Sequence, residues 1–214
     1  MTEFTYTRTT EIASPAAATS RLKRAVDIVG ALVGLLLMAP MLVLAAILIR
    51  LDSRGPILFP QERHGLGGKT FRIYKFRTMT ATASREEFRQ ATVGDARITR
   101  VGHVLRRTSI DELPQLFNVL LGDMSLIGPR PHPVALDLQY TPLVADYMRR
   151  YSVRPGMSGL AQVTGHRGPT PSVEAMAARV ARDLRYIDDW TMVLDVHILV
   201  RTVVPWWSEV RGGS

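Results

Sequence analysis

The chain has 214 residues, enough for one domain with appendages, and 46% of them are hydrophobic, ample for a core. It has no cysteine, which excludes disulfides and thiolate metal sites, and its five histidines show no zinc-binding spacing. The formal charge of +8 points to anionic partners: phosphorylated ligands, acidic lipid head groups or nucleic acid. No recognition helix or RNA motif accompanies that charge, so no nucleic acid is expected as a partner.

Residues 1–20, rich in Thr, Ala and Ser, read as a disordered tail. Residues 21–54 form a predicted membrane element. Its uncharged run, residues 28–49, has 22 residues, enough to cross a bilayer at ~1.5 Å per residue. It is too long for a signal-peptide core and starts too far from the terminus. Pro40 near its middle removes the hydrogen bond to Leu36, so a kink is expected there. Basic residues flank both ends: Arg21, Lys23 and Arg24 before, Arg50, Arg54 and Arg63 after. A span gains no orientation from such flanks, whereas a re-entrant helix that bends at Pro40 and returns keeps all of them on the cytoplasmic side.

Residues 55–214 form the predicted soluble-facing domain, with helices at the membrane interface. Residues 57–59 and 70–74 are β-like and separated by HGLGG, read as a hairpin turn because no βαβ unit surrounds it. Lys75 and Arg77 share one face of the second strand; alone they read as solvated charges, and with Arg154 they are candidate phosphate contacts. Residues 80–95 are polar and predict a mobile loop with a short helix.

Residues 105–131, LRRTSIDELPQLFNVLLGDMSLIGPRP, carry the chemistry. Residues 113–121 predict a short apolar helix stopped by Gly122, with Pro114 in its first turn. Asp111 and Glu112 then fall at a helix N-terminus, where free N–H groups favour negative charge. Ser109-x-x-Glu112 also fits a capping box, so the two acids could serve as caps instead of, or besides, doing chemistry. Capping leaves Gly-Pro-Arg-Pro and the arginines Arg106, Arg107 and Arg130 unexplained. Paired carboxylates framed by guanidinium groups suit chemistry on a phosphate-bearing substrate.

Further on, VADYMRRY is helix-like, SGLAQVTG is a tight segment between glycines, and residues 173–190 show helical periodicity. Val173, Met176, Ala177, Val180, Leu184 and Ile187 form its apolar stripe, with Arg179, Arg182, Asp183 and Arg185 opposite. Residues 192–204 hold Asp195, His197 and Arg201, too polar for a second span. Trp206 and Trp207 suit either a membrane interface or the core. The fold class is therefore mixed α/β, mainly helical, with a small β element and no Rossmann sheet.

The segments KRAVDIVG, GPILFPQERHGLGGKTFRIYKFRTM, DARITRVGHVLRRTSIDELPQLFNVLLGDMSLIGPRP, RPGMSGLAQVTG and YIDDWTMVLD resemble the bacterial sugar transferase family. These are the monotopic polyprenyl-phosphate phosphoglycosyl transferases, and the likeness is to short exopolysaccharide-type members. It covers roughly residues 22–205 in the family's order. The resemblance implies an enzyme of the bacterial inner membrane, its catalytic domain on the cytoplasmic face. It would move a sugar 1-phosphate from a UDP-sugar, UDP-glucose or UDP-galactose, to undecaprenyl phosphate and release UMP. That is the initiating step of exopolysaccharide, capsule or O-antigen assembly. By the same resemblance Asp111 forms a covalent aspartyl-phosphosugar, Glu112 belongs to a Mg2+ site, Arg106 and Arg130 are active-site arginines and Asp195 is a further acidic position. Membrane lipids, a homodimer and downstream glycosyltransferases are the further partners it suggests. The chain departs from the family in Ala39, where Ser often precedes the membrane proline, and in Gly165-His166-Arg167, where Gly-Arg-Asn is usual. Two other classes of function compete with this reading: a non-catalytic membrane adaptor and a nucleic-acid binder, the latter resting on charge alone.

Overall fold

A computed structural model describes residues 15–80, 95–168 and 170–211, with side chains to residue 204. Most of the expected mobile loop at residues 80–95, the first fourteen residues of the expected tail and the side chains of Trp206 and Trp207 lie outside the described residues. The end of that tail is built into the fold. One helical turn, α1 (Ala16–Thr19), buries Ala17 against Ile127, Val153 and Tyr186.

Helix α2 (Arg21–Asp52) starts where the Ser20 hydroxyl accepts the Lys23 N–H at 3.1 Å, an N-cap. It has 32 residues, ~48 Å of helix, and Pro40 lies inside it. It is long and apolar enough to cross a membrane, and only 11% of its most apolar window is buried. Leu36 and Leu37 beside Pro40 are 77% and 66% exposed.

Both halves of α2 are nevertheless tied to the same domain. In the N-terminal half, Lys23 donates to Asp195 at 2.6 Å and to the Ile127 carbonyl at 3.0 Å. Arg24 donates to the Val119 and Leu120 carbonyls, and Asp27 accepts from Ser125 Oγ and the Leu126 N–H. In the C-terminal half, Ala45 and Ile49 pack with Phe76 and Leu105, and Asp52 accepts the Val101 N–H at 3.1 Å. Two of the basic residues that flank the apolar run, Lys23 and Arg24, thus hold α2 to the domain, and Arg24 satisfies carbonyls at the end of α4 (Gln115–Leu121).

Two strands, β1 (Leu58–His64) and β2 (Thr70–Phe76), form the predicted hairpin, antiparallel with Leu58 opposite Phe76 and His64 opposite Thr70. Its turn, Leu66–Gly68, uses positive φ at Gly67 and Gly68, where glycine carries no steric cost. Helix α3 (Arg100–Thr108) is N-capped by Thr99 and leads into a 3-10 turn, Ile110–Glu112, before α4. The short β3 (Ser125–Ile127) pairs in parallel with β4 (Gly156–Ser158).

The expected helix at VADYMRRY is displaced. An α-helix, α5, occupies Val134–Tyr140, and Tyr147–Ser152 forms 3-10 turns. The chain finishes with α6 (Leu160–Val163), α7 (Val173–Asp188) and α8 (Met192–Arg211). The α7 stripe packs as expected, Met176 and Val180 against Tyr147 and Tyr151. The opposite face is not wholly solvated: Arg179 is 7% and Asp183 1% exposed. The class is thus mainly helical, with two two-stranded sheets among the described residues.

Candidate active site

Helix α3 ends because Ser109 adopts a left-handed conformation, φ 57°. The chain then makes the single 3-10 turn that carries Asp111 and Glu112. This corrects the capping reading: the Ser109 side chain caps nothing, and its Oγ accepts from Arg167 Nη2 at 2.6 Å. The acids precede α4 instead of capping it, since Pro114 is the residue at its N-terminus.

Glu112 is committed. Both its oxygens face the Arg130 guanidinium, Nη1 to Oε2 at 2.9 Å and Nη2 to Oε1, and Lys75 Nζ lies 3.7 Å from Oε1. Burial alone would raise its pKa, but Arg130 and then Lys75 override this and hold the carboxyl well below the usual range. Asp111 is not committed: it is 9% exposed and accepts no hydrogen bond among the described residues. Burial first, then repulsion by Glu112, pushes it up to about 6 despite Lys75, Arg106 and Arg130. Burial lowers Lys75 to about 8 against the pull of Glu112. One carboxylate is therefore neutralised in place, while its neighbour is desolvated and unpaired.

Arg130 is positioned by backbone as well as by its flanking prolines. Strands β3 and β4 approach so closely that a Cβ on Gly156 would lie 2.1 Å from the Gly128 nitrogen. Gly128 donates to Ser158 O at 2.8 Å and Gly156 to Pro129 O at 2.9 Å. Two buried guanidinium groups then grip the next carbonyls: Arg150 Nη2 on Arg130 O at 2.6 Å and Arg63 Nη1 on Pro131 O at 3.0 Å. Arg150 is completely buried, which works against its charge, but Asp183, paired with it at 2.6 Å, together with Tyr151, Tyr147 and Asp137 outweighs burial and keeps it charged. His132 beside it stays neutral, its pKa lowered first by burial and then by Arg150.

Five of the residues singled out in the sequence converge: Asp111, Glu112, Lys75, Arg130 and, acting on Asp111 by its charge, Arg106. Lys75 is not a solvated charge, because it shares its hairpin face with the buried Ile73. Three candidates are held elsewhere. Arg77 donates to the carbonyls of Ser53 and Arg54 at 2.7 Å each, where a cation offsets the C-terminal end of the α2 dipole. Arg154 gives its Nε to Gly122 O at 3.0 Å, just past α4. Asp195 is spent on Lys23 and on the Tyr186 hydroxyl at 2.7 Å.

The sequence reading passed over two residues at the site. Arg63 is 7% exposed, its pKa lowered to about 10 by burial and Arg130, and Arg167 adds to the cations that lower Glu112. Arg63 had a usable signal, since in the hairpin register it faces Phe71 on the Lys75 side. Arg167 had none beyond its place in a departing motif.

Among the described residues no three Asp, Glu, His or Cys side chains cluster as a metal cage. The acidic pair still fits Mg2+, which takes hard oxygen ligands from one or two carboxylates and completes its shell with water and substrate phosphate.

The sequence profile of the bacterial sugar transferases matches residues 18–209. The chain belongs to that family. It is similar to a UDP-glucose:undecaprenyl-phosphate glucose-1-phosphate transferase of Caulobacter vibrioides, 51% identical over 189 residues, 88% of this chain and 71% of the relative. An Escherichia coli K12 transferase of the same description is 48% identical over 182 residues, 85% of this chain but only 39% of its own length. The exopolysaccharide production protein PSS of Rhizobium leguminosarum bv. phaseoli is 48% identical over 197 residues, 90% of this chain and 97% of the relative. This sugar transferase therefore matches a short relative nearly end to end and only part of a longer one.

Proposed function

We propose that this sugar transferase moves glucose 1-phosphate from UDP-glucose to undecaprenyl phosphate on the cytoplasmic face of the bacterial inner membrane, the step that initiates a surface glycan. The observation that carries the reading is the contrast within the acidic pair: Asp111 buried and, among the described residues, unpaired, Glu112 locked to Arg130 and Lys75. UDP-glucose is preferred to UDP-galactose because the relatives from Caulobacter vibrioides and Escherichia coli are described as glucose-1-phosphate transferases.

In the first displacement an Asp111 carboxylate oxygen attacks the sugar-bearing β-phosphorus. The bond from that phosphorus to the bridging oxygen breaks, and UMP leaves with the electron pair. In the second, a phosphate oxygen of the polyprenyl phosphate attacks the same phosphorus, forms the diphosphate lipid and frees the Asp111 carboxylate. Burial favours the attack, since a poorly solvated carboxylate sheds little water to react. Anion approaching anion is the difficulty, and the surrounding cations lower it. Mg2+ held at Glu112 would neutralise further phosphate charge. Arg130, stiffened by its neighbours, loses little entropy on turning from Glu112 to a phosphoryl oxygen.

For the membrane, α2 enters the bilayer and returns without crossing it, with Pro40 near its deepest point. Support comes from Lys23, Arg24 and Asp27 in one half and Asp52 in the other, all bound to one domain. A helix fixed at both ends to the same body cannot carry one end across a ~30 Å hydrocarbon layer without dragging that body through it.

The test is UMP release by purified protein from UDP-glucose, undecaprenyl phosphate and Mg2+. Turnover in the wild type and none in Asp111→Asn is the expected outcome. A wild type that is silent with every UDP-hexose supports the adaptor reading instead.

A further inference from the structure

We infer that Asp183 on α7 is a positioning residue for the phosphoryl chemistry: through Arg150 it fixes the backbone that presents Arg130 to the acidic pair. This rests on the phosphoglycosyl transfer proposed above.

The burial of Asp183 runs against the pattern of its helix. Periodicity puts it with Arg179 opposite the apolar stripe, where solvent is the rule, yet both are buried. Burial raises the Asp183 pKa, with Arg150 pulling the other way, so the carboxylate sits where its charge is unfavourable. Stability alone does not call for such a pair, since well-packed apolar side chains in place of a buried ion pair often do as well or better. What Asp183 supplies is direction.

Arg150 Nη2 lies 2.6 Å from Asp183 Oδ2 and 2.6 Å from Arg130 O, and Nη1 lies 2.5 Å from His132 Nδ1. One guanidinium thus holds the chain on both sides of Pro131. Its Cζ also stands 5.4 Å and 5.5 Å from the ring centres of Tyr147 and Tyr151. An aromatic face attracts the cation without setting which N–H points where. Asp183 sets it: one proton of Nη2 goes to the carboxylate, which leaves the other aimed at Arg130 O.

Arg130 meets a phosphoryl oxygen only after leaving Glu112, so a loosened backbone should tell on kcat more than on KM. In Asp183→Asn, which keeps an acceptor but not the charge, kcat for UMP release per folded molecule should fall about 10- to 100-fold, as a displacement of ~1 Å can do. The KM for UDP-glucose should stay within about threefold. The paired variant Arg150→Met with Asp183→Leu should melt no lower than the wild type and still lose kcat. In an Arg130→Ala background Asp183→Asn should cause almost no further loss, because no guanidinium remains to be placed. Full kcat in Asp183→Asn or in the paired variant, or an equal loss with and without Arg130, would overturn the assignment. Amide exchange reads the same claim without turnover. The Gly128 and Gly156 N–H groups, which bond across β3 and β4, should exchange severalfold faster in Asp183→Asn, and unchanged exchange would also overturn it. A wild type that releases no UMP, beside an Asp183→Asn whose exchange has quickened, contradicts the transfer reaction and not the positioning.

Discussion

At the scale of residues, the site divides labour between two adjacent carboxylates by giving them different neighbours. Burial and then Glu112 push Asp111 up to about 6, so its carboxylate, the attacking form in the mechanism proposed above, accumulates as pH rises through that value. Lys75 loses its charge above about 8, and Glu112 and any bound phosphate then lose a cation. The expected kcat/KM profile is a bell with limbs near 6 and 8, apparent values that belong to the coupled cluster. Lys75→Arg replaces the titrating amine with a guanidinium and should carry the alkaline limb upward. An alkaline limb that stays near 8 in that variant would assign it to another group. Asp111, Glu112 and Arg130 were legible in the sequence because short motifs placed them together. The bond of Asp195 to Lys23 was not legible, because the two lie 172 residues apart, beyond any local pattern.

At the scale of elements, what positions the site is the tight pairing of β3 with β4. Neither three-residue strand announces itself by periodicity, and only Gly128 and Gly156 hint that two backbones meet there. In Gly156→Ala the new methyl would sit 2.1 Å from backbone, which cannot step aside as a side chain could. We expect a loss of roughly 1–3 kcal/mol in stability. Activity should fall by at least about tenfold, since each ~1.4 kcal/mol lost at the transition state is a factor of ten and Pro129-Arg130 moves with the strand. Thermal melts and UMP assays check both, and an unchanged kcat would detach Arg130 from the strand geometry. The hairpin and α7 were read correctly because period-two and helical patterns are local. The capping box was misread because Ser109 turns left-handed to end α3, a choice dictated by the packing that follows and not by the four-residue motif.

At the scale of the whole molecule, one long apolar helix is fastened along its length to a basic domain, and that fastening bears on both topology and chemistry. On the re-entrant reading proposed above, the contacts that tie both halves of α2 to the domain would also hold the acidic pair at a fixed height above the bilayer, at the level of a lipid-borne phosphate. The chain has no cysteine, so a single Thr19→Cys next to α2 reports sidedness cleanly. It should resist a membrane-impermeant thiol reagent in intact spheroplasts and react once they are opened; labelling in intact cells would mean a full span. The chemistry turns on whether the donor is split before the acceptor arrives. With UDP-glucose and Mg2+ but no undecaprenyl phosphate, the account predicts a burst of UMP stoichiometric with enzyme, together with glucose phosphate attached to the peptide carrying Asp111. No burst and no adduct, in a preparation that turns over when the lipid is added, would contradict it.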